Sequence, residues 1–216
     1  SYNYCANNPV KLVDPNGEDV YINGEASEEA TSQLQATSKN LVITRNEETG
    51  RLSVEGKPKS RNERLLYRAI KSERVKVNID AEYANKNTEE NYDVDGDPAV
   101  GCKGGAFMGN IIVKPTNSKK KYAVTSQKVF PEALCEDFDY NGKYYGESIR
   151  HEVTESFIGG LVSLRRGRPA PAAIFDKKIY NIAHRRATPQ PSEETSSIES
   201  NEAITPGYKP YRRIYY

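Results

Sequence analysis

The two histidines of the chain, His151 and His184, are the residues best suited to chemistry, because no other side chain supplies an imidazole. His151 opens the string HEVTE, which ends at Glu155. On a helix, residues four positions apart lie on one face, with Cβ atoms about 5–6 Å apart, so this pair can reach one ion. His184 lies in a second segment with helical spacing. We therefore predict a metal site formed by His151, Glu155 and His184.

This set of ligands predicts hydrolysis with the help of zinc. Two histidines and one glutamate are a usual ligand set of catalytic zinc, with the fourth position open to water. Zinc lowers the pKa of that water to about 7, so that a nearby carboxylate can accept its proton. Glu152 is placed like the catalytic base of the HExxH motif. The chain has HExxE instead, and the plainer alternative is that His151 and Glu155 form caps or salt bridges of an ordinary helix.

A long helix must position the first part of this set. Residues 148–164 carry an apolar stripe with a repeat of four, which predicts a helix that packs against a core. The stripe consists of Ile149, Val153, Phe157 and Leu161. Ser148 is the predicted N-cap, and Gly167 is predicted to end the helix.

A second predicted helix, residues 176–186, carries Tyr180 and His184 one turn apart. Besides positioning the third ligand, it places the Tyr180 hydroxyl where it could donate a hydrogen bond to a developing oxyanion. The alternative is that Tyr180 is an aromatic residue of the core.

The remaining pattern predicts an α+β fold with a mostly antiparallel sheet. The His151 helix would pack under this sheet, and the His184 helix would close the metal site. Two further helices are predicted at 27–39 and 62–73. The predicted strands are 19–22, 41–44, 51–54, 74–79, 104–113 and 122–129.

Two strings resemble a zincin-like metallopeptidase group found among bacterial polymorphic toxins and phage proteins. They are RHEVTESF at 150–157 and AHRRAT at 183–188, and the family pattern is roughly H-E-x-x-E-A-Y followed about thirty residues later by Y-x-x-A-H-x-x-A. The resemblance covers about residues 104–188. It implies a zinc peptidase in which Glu152 is the base, Tyr180 matches the family tyrosine, and His151, Glu155 and His184 are the ligands. Ser156 and Phe157 depart from the Ala-Tyr of the pattern.

The same resemblance gives a role to the glycine-rich strand that begins near residue 104. In zincin-like enzymes an exposed edge strand pairs with an extended peptide substrate. Small residues would let a second backbone approach closely, so Gly105, Phe107 and Gly109 are the predicted substrate-binding residues. A glycine-rich bend in a core strand is the alternative.

The start of the chain resembles the end of the core domain of Rhs-repeat proteins. Residues 2–17 read YNYCANNPVKLVDPNG, and the family consensus ends in Y-x-Y-x-x-N-N-P-x-x-x-x-D-P-x-G. This resemblance implies that residues 1–17 end an Rhs core and that 18–187 are a toxin domain. Proteins of this family often cleave themselves shortly after the motif with help from core aspartates, one of which Asp14 matches. The acidic pair Glu18-Asp19 departs from the apolar residue that is usual after the motif.

The Rhs resemblance also implies a set of partners and a destination. These are a cognate immunity protein, the Rhs core shell with type VI secretion machinery, and a protein substrate in the target cell. The chain would then be a secreted effector delivered into a neighbouring bacterial cell, which agrees with a start that lacks the features of a signal peptide.

Composition excludes several classes of function. The 31 Lys and Arg residues nearly balance the 30 Asp and Glu residues, so no bulk charge favours nucleic acid or a membrane surface. No apolar stretch approaches the about 20 residues that span a bilayer. Three cysteines without a CxxC spacing predict reduced thiols.

Two other segments allow more than one interpretation. Residues 188–216 form a Pro/Ser/Glu-rich tail that ends in aromatic and basic residues, which predicts disorder or a surface wrap. The string DVDGD at 93–97 invites a calcium site, but Cys102 stands where an EF-hand loop requires glutamate.

Two rival functions stay open on the sequence. The first is a nuclease that uses His184, Arg185, Arg186 and the basic tail. The second is a binding or structural extension of the Rhs shell that has no enzymatic activity.

Overall fold

The computed structural model describes residues 19–83, 105–116, 120–132, 134, 145–173 and 175–189. In chain order the described elements are β1 (Val20–Asn23), α1 (Ser27–Ala36), β2 (Leu41–Arg45), β3 (Leu52–Gly56), α2 (Arg61–Ile70), β4 (Val75–Ala81), β5 (Gly105–Val113), β6 (Tyr122–Val129), α3 (Glu147–Arg166) and α4 (Lys177–Arg186). The Rhs-like motif, the DVDGD string, the three cysteines and residues 190–216 lie outside the described residues.

The main sheet has four strands in the order β1-β4-β6-β5. β4 pairs in parallel with both β1 and β6, while β5 pairs antiparallel with β6. Strands β2 and β3 form a separate antiparallel hairpin. The α+β class is therefore confirmed, but the prediction of a mostly antiparallel sheet is wrong. The chain travels from β1 to β4 through α1, the hairpin and α2, and such a long crossover returns the next strand in the parallel direction.

Helix α3 packs across one face of this sheet and carries the core of the fold. Its predicted apolar stripe is buried at Ile149, Val153 and Phe157. Gly159 and Gly160 allow the close approach, because a Cβ at Gly160 would overlap Val75 of β4. Glycine inside a helix costs about 1 kcal/mol relative to alanine, so the close packing of helix on sheet must offset that cost.

The ends of α3 agree only in part with the sequence prediction. The helix stops at Gly167, which has a φ of 68° as a left-handed C-cap. Its N-cap is Gly146 and not the predicted Ser148, which lies inside the first turn and is buried. A Cβ at Gly146 would overlap the backbone of Gln33 in α1. The close contact between the two helices therefore requires glycine at the N-cap of α3.

Among the described residues, no helix is both long and apolar enough to cross a membrane.

Helix α2 begins with a capping box that also ties it to the hairpin. The Ser60 hydroxyl accepts a hydrogen bond from the Glu63 amide, and the Glu63 carboxylate accepts one from the Ser60 amide. The same carboxylate accepts bonds from Lys59 and from the backbone and side chain of Asn40. The backbone bond from Ser60, with help from the others, lowers the pKa of Glu63 to about 2 against the opposing effect of burial.

Replacing Glu63 with glutamine is expected to destabilise the fold in a pH-dependent way. Because the pKa of Glu63 in the folded state is lowered to about 2, below the ordinary value of a glutamate, the ionised carboxylate stabilises the fold above about pH 4.5, and this stabilisation is lost as the pH falls towards 2. Chemical denaturation should give a deficit of about 2–3 kcal/mol for Glu63→Gln at pH 7. The deficit should shrink below pH 4.5. The exposed Glu55→Gln is the control, and a deficit that does not change with pH would contradict this account.

Candidate metal centre

Helices α3 and α4 bring together the three side chains that the sequence predicts as ligands. The Nδ1 atom of His184 lies 2.7 Å from Oε2 of Glu155 and 3.0 Å from Nε2 of His151. Nε2 of His151 lies 3.4 Å from the same Glu155 oxygen. His151, Glu155 and His184 are 0%, 1% and 7% exposed. In the described part of the chain, they form the group of His and Glu side chains that could hold an ion.

The spacing of the three atoms suits a small divalent ion. Zinc lies about 2.0–2.2 Å from nitrogen and oxygen ligands in a tetrahedral arrangement, so its ligand atoms are about 3.3 Å apart. The observed separations run from 2.7 to 3.4 Å. The set therefore fits an ion with only small movements of the side chains, and the same distances also suit direct hydrogen bonds.

A contact behind His151 favours the metal interpretation. Its Nδ1 atom lies 2.5 Å from the backbone carbonyl oxygen of Thr188. A carbonyl only accepts hydrogen bonds, so Nδ1 donates its proton to Thr188, and Nε2 is the ring nitrogen that faces Glu155 and His184. Histidines that bind metals usually donate their second ring N–H to a carbonyl or carboxylate in this way.

Thr188 is itself held in place by α3. The hydroxyl of Thr154 accepts a hydrogen bond from the Thr188 amide at 3.1 Å, and the two hydroxyls lie 3.2 Å apart. Both threonines are buried. The chain just after α4 therefore returns to α3 and fixes the orientation of the His151 ring.

Glu152 lies beside the cluster but is held by other partners. The side-chain amide of Gln127, on β6, donates a hydrogen bond to Glu152. Burial, followed by the negative charge of Glu155, raises the pKa of Glu152. Burial acts in the same direction on Glu155, but hydrogen bonds from His151 and His184 and their charges outweigh it and lower its pKa. Two carboxylates on one helix therefore have opposite tendencies to bind a proton.

Tyr180 packs beside the third ligand. Its ring centroid lies 5.4 Å from that of His184 and 6.2 Å from that of Phe107, and the residue is 8% exposed. Tyr180 thus helps to place His184, and its role toward an oxyanion stays a prediction.

Strand β5 reaches the centre at its first residue. A Cβ at Gly105 would lie 2.5 Å and 2.7 Å from the two carboxylate oxygens of Glu152, so this glycine is what gives the Glu152 side chain its space. β5 is an edge strand of the main sheet, as the predicted pairing with a substrate requires.

The middle of the β5 edge is paired with the chain itself. The Phe107 carbonyl accepts a hydrogen bond from the Ala173 amide, and the Asn110 amide donates one to the Ala170 carbonyl. Gly109 lies at a β-bulge with a φ of 98°, where a side chain would meet the Ala170 backbone. The contacts observed for Phe107 and Gly109 are therefore internal, and a substrate-binding role for Gly105, Phe107 and Gly109 stays a prediction.

A comparison with protein-family models, curated proteins and solved structures found no match. The resemblances to zincin-like peptidases and to Rhs proteins stay predictions.

Sequence reasoning missed Gln127, Thr154 and Thr188, which support the centre. One signal pointed to Gln127. The inward positions of β6 alternate, and a glutamine occupies one of them although it is 1% exposed. No comparable signal marks Thr154 or Thr188, because their pairing depends on where α4 ends.

Replacing Thr154 with valine is expected to weaken metal binding without unfolding the protein. The change removes the hydroxyl that holds Thr188, and so loosens the carbonyl that orients His151. Loss of such an outer contact commonly costs about 10–100-fold in metal affinity. Zinc affinity, measured by competition with a chromophoric chelator, should fall within that range for Thr154→Val.

Thr31→Val is the matched control. The Thr154 hydroxyl donates to the carbonyl of Arg150, four residues earlier in α3, and the Thr31 hydroxyl makes the same kind of bond to Ser27 in α1. Equal zinc affinities for the two variants would show that Thr188 does not support the centre.

Proposed function

We propose that the chain is a zinc-dependent hydrolase that cleaves an amide bond of a protein substrate. His151, Glu155 and His184 are the ligands, and Glu152 is the general base. The observation that carries the proposal is the meeting of three buried ligand atoms at 2.7–3.4 Å, with a fourth side chain, Glu152, held beside them by a hydrogen bond from Gln127.

The chemistry follows from the separate roles of the two glutamates. A zinc ion in this set would polarise the substrate carbonyl and lower the pKa of water. Glu152 accepts the proton of the attacking water and passes it to the leaving nitrogen. A base works best when its pKa lies near the working pH, and burial moves the pKa of Glu152 in that direction. Glu155 stays ionised, as a ligand must.

The choice of a peptide bond is supported by the ligand set and by the zincin-like resemblance. Two histidines and one glutamate are the ligands of several zinc peptidases. The Rhs-like residues 2–17 support the further proposal that the chain is a toxin domain. On that proposal it is delivered into a neighbouring bacterial cell with an immunity protein as its partner.

The metal content of the purified protein tests the centre. Plasma mass spectrometry should find about one zinc per chain in the wild type and in Glu152→Gln. His151→Ala, Glu155→Gln and His184→Ala should lose it, while the exposed Glu55→Gln keeps it. Circular dichroism shows whether each variant folds. A folded wild type that takes up no zinc, even after zinc is added, would contradict the proposal.

An activity assay distinguishes the role of Glu152 as the base from the role of the metal ligands. Zinc-loaded wild type should cleave members of a library of internally quenched fluorescent peptides, and Glu152→Gln should be about 10²–10⁴-fold slower. The wild type should also arrest growth when it is expressed in a bacterial cytoplasm. Growth arrest by Glu152→Gln equal to that of the wild type, or loss of cellular DNA, would point away from a peptidase.

Replacing Gly105 with alanine is expected to reduce activity and leave zinc in place. The added methyl group would lie against both oxygens of Glu152 and push the carboxylate out of position, while no ligand is touched. The peptide assay should show a loss of about 10²-fold or more, with the zinc content unchanged. Met108→Ala, at an exposed position of the same strand, is the control. Full activity of Gly105→Ala would show that Glu152 does not need its observed position.

A further inference from the structure

The side chain of Gln127 contacts both glutamates of the centre. It points from β6 toward α3 and is 1% exposed. Its Nε2 group donates a hydrogen bond to Oε2 of Glu152 and a longer one, at 3.4 Å, to Oε1 of Glu155. Its Oε1 atom accepts a bond from the Ser156 hydroxyl at 2.9 Å. One amide group therefore meets three consecutive members of one helix face, at positions i, i+3 and i+4.

The chemistry of these partners fixes which way the amide points. An ionised carboxylate only accepts hydrogen bonds, so the NH₂ group must face Glu152 and Glu155. The carbonyl oxygen must then face Ser156, whose hydroxyl can donate. A reversed amide would place its oxygen against two carboxylates. Ser156 thus favours the orientation in which Gln127 can serve both glutamates.

The contact with Glu155 uses the oxygen that does not face the histidines. Oε2 of Glu155 lies near His151 and His184, whereas Gln127 donates to Oε1. Gln127 can therefore support the ligand from behind and leave the ligand atom to the ion. Outer partners of this kind orient ligating carboxylates.

The neutral charge of Gln127 matters for Glu152. A lysine or arginine at position 127 would form an ion pair with Glu152 and add a positive charge beside the predicted ligands. An apolar residue would leave two buried carboxylates on one helix face without a shared donor. An amide supplies two donor hydrogens and no charge.

We propose that Gln127 is a positioning residue that holds Glu152 in place as the base and supports the ligand Glu155 through its outer oxygen. The inference rests on the proposed function. It adds a residue to the centre that acts through the two glutamates and contacts no substrate.

The first measurement is zinc affinity, which needs no substrate. Gln127→Met keeps the length of the side chain and removes its polar atoms. Competition with a chromophoric chelator should show zinc binding about 10-fold weaker than in the wild type. Gln33→Met is the matched control, because Gln33 is equally buried and donates to Glu29 and to the Pro131 carbonyl, away from the centre. Equal zinc affinity in Gln127→Met and the wild type would overturn the claim that Gln127 supports the ligand Glu155.

The second measurement is the rate at saturating zinc with a quenched fluorescent peptide that the wild type cleaves. Gln127→Met should be about 10–100-fold slower, with kcat reduced and KM nearly unchanged. If Gln127 acts through Glu152, the same change should lower the rate by less than about 2-fold in a Glu152→Gln background, because the effects of residues that act as a unit are not additive. An equal cost in both backgrounds would overturn the positioning role.

Ser156→Ala is the second variant, used if Gln127→Met does not fold. It should lower the zinc affinity and the rate of peptide cleavage, each by less than Gln127→Met does. A wild type that binds zinc and cleaves the peptide, with a Ser156→Ala variant that matches it in rate and zinc affinity, would overturn only the role of Gln127. A folded wild type without zinc and without activity would overturn the proposed function as well.

Discussion

The arrangement depends on the burial of two carboxylates and two imidazoles between a sheet and a pair of helices. Burying an ionised group without partners costs several kcal/mol, and Glu152 and Glu155 lie one turn apart on the same helix. Each glutamate therefore has its own compensation. Oε2 of Glu155 lies 2.7 Å from Nδ1 of His184 and 3.4 Å from Nε2 of His151, while Glu152 receives a hydrogen bond from Gln127. Apolar residues at these positions would stabilise the fold more than buried charged groups do. The presence of the cluster therefore points to a function.

Close backbone approach makes this burial possible. Gly160 lets α3 lie directly against β4, and Gly105 leaves space for the carboxylate of Glu152. A larger side chain at Gly160 would separate the helix from the sheet and admit water between them. Water would weaken the hydrogen bonds and charge interactions that hold the four side chains together. The glycines thus set the environment in which the pKa of Glu152 is raised.

The sequence predicts the parts that depend on local spacing and misses those that depend on distant contacts. His151 and Glu155 could be paired from a four-residue spacing, and the helices and strands from their periodicity. The direction of strand pairing could not be predicted, because alternation shows that a strand has a buried face and does not show its neighbour. Gln127 and Thr188 reach the centre across 25 and 37 positions of the chain. Residue type predicts Ser148 as the N-cap, but α3 begins after Gly146, whose lack of a side chain permits close contact with the backbone of Gln33.

On the proposed function, the exchange of ligand order relative to HExxH has a physical consequence for Glu152. In HExxH the fifth position carries a neutral histidine, whereas here it carries Glu155, whose charge lies one turn from Glu152. That charge adds to burial in raising the pKa of Glu152. The exchange also moves the second histidine to α4, so that the ligand set joins two helices, and Thr188 after α4 orients the histidine on α3. Gln127, a neutral donor to both glutamates, and Thr188, which returns the chain to α3, are the contacts that accompany this order of residues.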